Sequence, residues 1–164
     1  MKIVAFTPDL APHFDRINRA WIEHYFAVEP IDDLVLKDPQ THIIDKGGEI
    51  WFAQLDGEII GACALKPYGE GELEFTKLGV DDKAKGKGIA RALMRHCLTR
   101  AKTLGAQTIV IFTNSRLEAA NRLYIGEGYS EVSSAEERAR YQRCDIIYRL
   151  AITKKPAKAD FFVP

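Results

Sequence analysis

The chain carries a glycine-rich, lysine-rich junction between a β-type run and an amphipathic helical pattern, within KLGVDDKAKGKGIARALMRHCL at 77–98. A helix N-terminus exposes unpaired N–H groups and the positive end of the helix dipole. Gly86 and Gly88 would let a ligand approach those groups without meeting a Cβ. Three lysines add positive charge: Lys83, Lys85 and Lys87. The junction predicts an anion site, and a tight connection with solvated lysines is the alternative.

Two common phosphate-binding templates do not fit this junction. A P-loop needs serine or threonine after its Gly-Lys pair, whereas Gly88 follows Lys87 here. A dinucleotide fingerprint needs a third small residue, and this chain has Arg91 in that region. The preceding strand also follows a hairpin instead of opening the chain, so both templates are disfavoured.

Length and charge restrict the class of protein. The 164 residues are enough for one domain, and the 23 basic and 23 acidic side chains cancel. A neutral chain has no overall field to attract nucleic acid or an anionic membrane, so we expect neither partner. With no signal-like start and no apolar run of membrane length, we expect a cytoplasmic protein. Residues 1–150 are predicted to form one domain, followed by a tail at 151–164 in which Phe161 and Phe162 could dock.

Cysteine and histidine spacing indicates neither disulfides nor a metal site. The three cysteines are widely separated among apolar neighbours, which predicts small buried side chains, with a catalytic nucleophile as the alternative: Cys63, Cys97 and Cys144. No histidine lies at a metal-ligand spacing from another. We therefore predict no metal.

The apolar pattern predicts strands and helices in mixed order. The predicted strands are KIVAF at 2–6, the two arms of a hairpin at 48–65 around Asp56-Gly57, GELEFTKLGV at 71–80, QTIVIFTN at 107–114, YSEV at 129–132 and RCDIIYRL at 143–150. The predicted helices cover the surroundings of 14–25, a shorter or broken segment near 28–43, 87–104 and 116–128. Leu73 and Phe75 are out of phase with Leu78 and Val80, which predicts a bulge near Lys77 or Leu78. Such an order favours an α/β or α+β sheet with helices on its faces.

Two motifs together resemble the acetyl-CoA-binding core of the GNAT superfamily of N-acetyltransferases. They are LGVDDKAKGKGIARALM and TNSRLEAANRLYIGEGY, and the resemblance is strong over residues 72–132. The family signature begins with Gln or Arg, where this chain has Lys83. The resemblance implies a GNAT fold: a mixed, mostly antiparallel sheet of six to seven strands, splayed after the fourth, with about four helices.

The resemblance also implies a set of residues that bind acetyl-CoA. The pyrophosphate would lie on the N–H groups of the turn, and the pantetheine arm would pair with the strand before it. Asn114 and Asn121 match positions that often contact the cofactor, with turn and cap roles as the alternative. The full set is Leu78, Gly79, Val80, Lys83, Lys85, Gly86, Lys87, Gly88, Ile89, Ala90, Asn114, Asn121 and Tyr124.

The same resemblance implies catalytic roles for two side chains. Tyr124, three residues after Asn121, matches the acid that protonates the leaving thiolate, and its alternative is a packing role. Glu74, four residues before Leu78, matches a base that some members carry, often acting through water, and its alternative is a solvated strand charge. The N–H of Leu78 would stabilise the negative charge on the thioester oxygen.

The acceptor is implied to be a primary amine of a small molecule or peptide. Trp21, Tyr25 and Glu29 are predicted to contact it, with helix packing as the alternative for the aromatic residues. Asp32 is an alternative to Glu29 as the partner of the amine, and Arg143 or Arg149 would suit an acceptor carrying a carboxylate. A homodimer, a non-catalytic acyl-CoA-binding domain and a nucleotide- or nucleic-acid-binding module stay open as alternatives.

Overall fold

The computed structural model describes residues 1–132 and 134–152, which form one sheet with helices on both faces. The strands are β1 (Lys2–Ala5), β2 (Glu49–Leu55), β3 (Glu58–Pro67), β4 (Glu72–Val80), β5 (Thr108–Thr113), β6 (Ser130–Val132) and β7 (Ile146–Ala151). The α-helices are α1 (Ala11–Tyr25), α2 (Pro30–Lys37), α3 (Ile89–Thr103), α4 (Glu118–Gly126) and α5 (Ala135–Arg138).

The seven strands lie in the order β1-β2-β3-β4-β5-β7-β6. Every neighbouring pair is antiparallel except β4 and β5, which are parallel. The parallel pairing stops after three residues of β4, since Glu74 opposite Val110 is its last pair. The mixed, mostly antiparallel sheet with a splay after the fourth strand is therefore confirmed.

The β2–β3 hairpin forms where the sequence predicts it. Asp56 and Gly57 have φ values of 50° and 80°, and such left-handed values match the right-handed twist of the two strands. Residues Ile59 to Leu65 of β3 are buried, because helices cover both faces of this central strand. This continuous apolar run makes β3 the centre of the core.

Strand β4 has the predicted bulge, at Lys77 and Leu78. Ala62 pairs with Gly79 and Ala64 pairs with Thr76, so one residue of β3 faces two residues of β4. Lys77 takes a φ of 56°, which is left-handed and uncommon for a residue with a side chain. The extra residue shifts the in–out alternation of β4 by one position. As a result, its apolar side chains all join one core: Leu73, Phe75, Leu78 and Val80.

The core has two parts, one on each face of the sheet. On one face α3 and α4 cover the strands, and the buried residues of α3 are Ile89, Leu93, Met94, Cys97 and Ala101. On the other face α1 and α2 contribute Phe14, Ile17, Ile22, Val35 and Leu36. The spacing of three and four residues places each set on one side of its helix.

Several details differ from the sequence-based expectation. About four helices are expected, and α5 is a fifth; Ser134 caps it by accepting a hydrogen bond from the Glu137 N–H at 3.2 Å. The segment after α2 forms one π-helical turn, Gln40–Ile44. Strand β7 reaches Ala151, past the expected domain end at 150. Residues 153–164 of the predicted tail, with Phe161 and Phe162, lie outside the described residues.

Gly79 allows α1 to contact the backbone of β4. A Cβ on Gly79 would lie 2.8 Å from Ile17 Cγ2 and 3.0 Å from Trp21 Cδ1. We expect Gly79→Ala to lower the free energy of unfolding by about 1–3 kcal/mol, because the helix must shift to make room. Urea denaturation measures this change.

Gly126→Ala provides the matched control. Gly126 is helical, and a Cβ there meets no atom within 4 Å. This variant should be as stable as the wild type or slightly more stable, because alanine favours helix. Equal stability of Gly79→Ala and the wild type would contradict the close approach of α1.

Candidate active site

A cleft of about 760 Å³ opens where β4 and β5 separate. The parts of the chain that line it are the end of α1, β4 from Glu74 onward, the turn before α3, the end of β5, the start of α4 and the segment 141–144. The cleft forms because the two parallel strands lose contact after Glu74. The bulge at Lys77 lies on this wall.

The turn before α3 is shaped mainly by glycine. Gly86 and Gly88 have φ values of 77° and 76°, and a Cβ on either would meet no atom within 4 Å. Gly88 is the N-cap of α3 and no side chain caps the helix. The first N–H groups of α3 therefore adjoin open space at one end of the cleft, the geometry of an anion site.

The lysines of the turn contribute less charge than the sequence indicates. Lys85 pairs with Asp82 at 2.6 Å, and Lys83 pairs with Glu58 on the surface. Both pairs are exposed, so solvent screens them strongly. The fixed positive end of α3 is consequently the main feature that would attract an anion.

Tyr124 lies deep in the cleft, on α4. It is 6% exposed, and its ring centroid is 5.7 Å from that of Tyr148 and 6.3 Å from that of Tyr129. Burial raises the pKa of Tyr124 well above its ordinary value, and Tyr148 acts in the same direction. The phenol is therefore protonated at neutral pH and can donate a proton or a hydrogen bond.

Glu74 lies on the same cleft, at the last point of contact between β4 and β5. Its side chain is buried, and Oε1 accepts a hydrogen bond from the Tyr141 hydroxyl at 2.8 Å. The other carboxyl oxygen, Oε2, is buried without a partner among the described residues. Burial, followed by the charge of Glu74, raises the pKa of Tyr141. A buried acceptor with an unused oxygen is suited to an N–H donor or a water.

Four charged side chains form a network beside the bulge, which we name the bulge cluster: Glu29, Asp32, Lys77 and Arg143. Both terminal nitrogens of Arg143 donate to Asp32 at 2.6 Å, and one also donates to Glu29 at 3.1 Å. Lys77 Nζ donates to Asp32 Oδ1 at 3.2 Å. Asp32 is 3% exposed. The cluster thus links α2, β4 and the segment after α5.

The pKa values of the bulge cluster reflect competition between burial and pairing. Burial raises the pKa of Asp32, but the hydrogen bond from Arg143 and the charge of Lys77 outweigh it and lower that pKa to about 2. Burial lowers the pKa of Lys77, with Asp32 opposing the shift. Sequence reasoning named Lys77 only as a bulge position, although a lysine within an apolar strand is itself a signal of a special role.

Most of the predicted site residues lie together on the cleft wall. They are Trp21, Tyr25, Glu74, Leu78, Gly79, Val80, Lys85, Gly86, Gly88, Ile89, Ala90, Asn114 and Tyr124. The indole N–H of Trp21 is already used, because it donates to Asn18 Oδ1 at 2.9 Å. Asn114 is also engaged, since its side chain donates to the Arg143 carbonyl at 2.7 Å and accepts from the Arg116 N–H at 2.9 Å.

The structure does not place four predicted residues on that wall: Glu29, Lys83, Lys87 and Asn121. Glu29 points to Arg143 within the bulge cluster, and Lys83 points to Glu58. Asn121 Nδ2 donates to the Asn114 carbonyl at 2.9 Å, while its Oδ1 is buried without a partner among the described residues. No local sequence pattern indicates these pairings. Ligand contacts by the four residues stay predictions.

Two of the three cysteines lie away from the cleft, and the third lines it. Cys63 and Cys97 are buried in the core with their sulfur atoms 3.4 Å apart, and burial raises the pKa of Cys63. Cys144 differs from the expectation because it is only half-buried and lines the cleft. Over residues 1–132 and 134–152, no three histidine, cysteine or acidic side chains gather as metal ligands. No helix in that same part of the chain is long and apolar enough to cross a bilayer.

Comparison with known proteins identifies the family. A model of the acetyltransferase (GNAT) family matches residues 14–129. The chain belongs to this family. The match includes most of α1, the bulged strand, the glycine turn, β5 and α4, which line most of the cleft.

Curated relatives of the chain carry acetyltransferase names. Mouse N-acetyltransferase 8B is 27% identical over 135 residues, covering 74% of this chain and 58% of the relative. Human N-acetylaspartate synthetase is 31% identical over 98 residues, covering 59% of this chain and 32% of the relative. The matched part of the chain thus spans less than two thirds of the length of either relative.

Solved structures of the same fold cover nearly the whole chain. A GNAT-family acetyltransferase from Staphylococcus aureus superposes with a TM-score of 0.84 at 14% identity, over 93% of this chain and 99% of that one. An acetyltransferase from Salmonella typhimurium, solved with acetyl-CoA, has a TM-score of 0.73 at 17% identity, over 96% of each chain. At these identities the likeness establishes the GNAT fold.

The bulge cluster should make the free energy of unfolding fall as the pH is lowered. The pKa of Asp32 falls from 3.8 to about 2 on folding, so its stabilising contribution is present above about pH 4 and is lost as pH falls through about 2. Asp32→Asn should lower the free energy of unfolding by about 3 kcal/mol at pH 7, because it leaves buried cations poorly paired. This difference should shrink by about 2 kcal/mol between pH 5 and pH 2.

Chemical denaturation at several pH values measures this difference. Asp33→Asn is the matched control, since Asp33 is exposed and pairs with Lys37 and Arg19 at the surface. Its effect should be small because water screens these pairs. A difference between wild type and Asp32→Asn that is the same at every pH would show that folding does not lower the pKa of Asp32.

Proposed function

We propose that this protein is an N-acetyltransferase that transfers an acetyl group from acetyl-CoA to a primary amine of a small molecule or peptide. The observation that carries the proposal is the cleft between β4 and β5, which joins the uncapped N-terminus of α3 to the buried side chains Glu74 and Tyr124. Family membership supports it, as does the Salmonella neighbour solved with acetyl-CoA.

The turn before α3 fits the pyrophosphate of such a ligand. Open space over Gly86 and Gly88 would admit phosphate oxygens to the backbone, and a side chain at either position would occupy that space. The N–H groups from Lys85 to Ala90 would bind the anion. Lys87, which is exposed, would add charge near this end of the cleft.

The bulged half of β4 fits the pantetheine arm. Leu78 has no partner residue on β3 or β5 in the described sheet, because the ladder to β3 skips it and the ladder to β5 ends at Glu74. Its backbone, with that of Val80, would pair with the amides of the arm as an added strand does. The Leu78 N–H would then stabilise charge on the thioester oxygen.

Acetyl-CoA supplies the acetyl group as a thioester; the amine nitrogen forms the new C–N bond, and the C–S bond breaks. Two proton movements accompany the transfer. Glu74 Oε2 would accept the proton of the ammonium, directly or through a water. Tyr124 would donate its phenol proton to the departing sulfur.

The acceptor would enter beside α1 and the bulge cluster. Trp21 and Tyr25 line this end, with Tyr25 39% exposed, and they would contact the acceptor together with Glu29. Arg143 is already paired with two carboxylates, so an acceptor carboxylate would have to compete with Glu29 for it. Aspartate belongs in any acceptor panel because a relative is named N-acetylaspartate synthetase.

The first test combines binding and turnover. A rise in melting temperature with acetyl-CoA would report binding to the folded state, and release of CoA thiol would report transfer. The amine panel should contain amino acids, peptides with free N-termini and polyamines. Binding without thiol release for any amine would favour a non-catalytic acyl-CoA-binding domain, and no binding would overturn the proposal.

Gly86→Val tests the anion site. Valine both fills the open space over the turn and disfavours the φ of 77°. We expect the Kd for acetyl-CoA, measured by calorimetry, to rise at least about a hundredfold. Gly105→Val is the matched control, because Gly105 has the same φ and the same open surroundings at the other end of α3. Equal losses in both variants would indicate a general fold defect.

Tyr124→Phe tests the proton donor. Removing the hydroxyl should lower kcat by about a hundredfold or more, with the Kd for acetyl-CoA nearly unchanged. Steady-state thiol release and calorimetry measure the two constants. Tyr129→Phe is the control, since Tyr129 is equally buried nearby but does not line the cleft. An unchanged kcat in Tyr124→Phe would exclude Tyr124 as the acid.

A further inference from the structure

The bulge of β4 is held by a buried ion pair from another element. Lys77 is the bulge residue with a left-handed φ of 56°. Its side chain is 13% exposed and its ammonium donates to Asp32, a buried residue of the first turn of α2. A lysine in this backbone conformation is disfavoured relative to glycine, so something in the fold must compensate for it.

Asp32 is itself held firmly in place. Its two carboxyl oxygens accept hydrogen bonds from both terminal nitrogens of Arg143 at 2.6 Å, and Oδ2 also accepts from the Glu29 N–H at 3.0 Å. Arg143 in turn lies over the Phe26 ring, with its Cζ 5.7 Å from the ring centroid. Asp32 is therefore a fixed point, and Lys77 is the only strand residue that the cluster reaches among the described contacts.

We propose that Lys77 and Asp32 are positioning residues: their ion pair fixes the bulge of β4 and thereby the orientation of the Leu78 N–H. Leu78 follows Lys77 directly and lacks a partner in either ladder of the described sheet, so neighbouring strands do not set its orientation. Instead, the left-handed φ of Lys77 sets the orientation of the Leu78 N–H. This inference rests on the proposed function, in which the Leu78 N–H contacts the thioester oxygen.

The cluster also explains why lysine occupies a position that glycine would fit with less strain. Glycine would adopt the same φ in the folded state but would leave the bulge free to change, because it has no side chain to tether. The ion pair selects one conformation and links it to Asp32 of α2, which also pairs with Arg143 on the cleft wall.

The test compares three variants for structure and for rate. Backbone Cα chemical shifts of residues 76–79 report the φ of Lys77 independently of activity. In Asp32→Asn these shifts should move and kcat should fall about tenfold or more, because the Leu78 N–H would no longer be held toward the thioester oxygen. Shifts of α3 residues should not change, which verifies that the variant is folded.

Lys77→Gly and Lys77→Ala separate positioning from direct contact. Both remove the ammonium, but glycine accepts a φ of 56° and alanine does not accept it readily. Lys77→Gly should therefore retain clearly more of the wild-type kcat than Lys77→Ala. Asp33→Asn is the control on α2 and should match the wild type in both shifts and kcat.

Three results would overturn the inference. They are unchanged Cα shifts in folded Asp32→Asn, an unchanged kcat in that variant, and equal losses of kcat in Lys77→Gly and Lys77→Ala. Failure of the proposed function gives a different result. A wild-type protein without thiol release would overturn the proposed function, while the Cα shifts would still decide whether the ion pair holds the bulge.

Discussion

The structure depends on the point at which β4 parts from β5. Two parallel strands in a central position would normally pair along their length and bury both backbones. Here the pairing ends at Glu74, and the bulge at Lys77 directs the rest of β4 away. The separation creates the 760 Å³ cleft and leaves part of β4 without a neighbour on that side. Every candidate residue discussed above is placed relative to this opening.

Backbone geometry, more than side-chain charge, determines the candidate anion site. The lysines that distinguish the turn in the sequence are largely paired: Lys83 with Glu58 and Lys85 with Asp82. The N-terminus of α3 cannot be neutralised in this way, because its N–H groups belong to the fold and Gly88 offers no capping side chain. A glycine-rich turn is thus the more informative part of the motif.

Some polar groups are buried at a cost to the free energy of unfolding. The core of the sheet is apolar on both faces, yet Glu74 leaves one carboxyl oxygen without a partner among the described residues. The bulge cluster buries Asp32 beside two cations in the same region. Burial of such groups costs free energy unless they are paired.

The sequence alone determined the features that arise from local patterns. The Asp56-Gly57 pair between two β-type runs predicted the β2–β3 hairpin, a phase break predicted the bulge, and two glycines predicted the open turn. The family resemblance was readable in the same motifs. The Ser134–Glu137 spacing is also a local helix-start signal, although α5 was not expected.

Only the tertiary structure decided which distant groups meet. In the folded protein Lys77, predicted only as a bulge residue, donates a hydrogen bond to Asp32. The side chain of Asn114 donates to the carbonyl of Arg143. These contacts join residues tens of positions apart, and their geometry depends on how helices pack on the sheet. Local propensity and periodicity fix elements because they act over a few residues; pairing of charges across elements follows from packing, which no short pattern encodes.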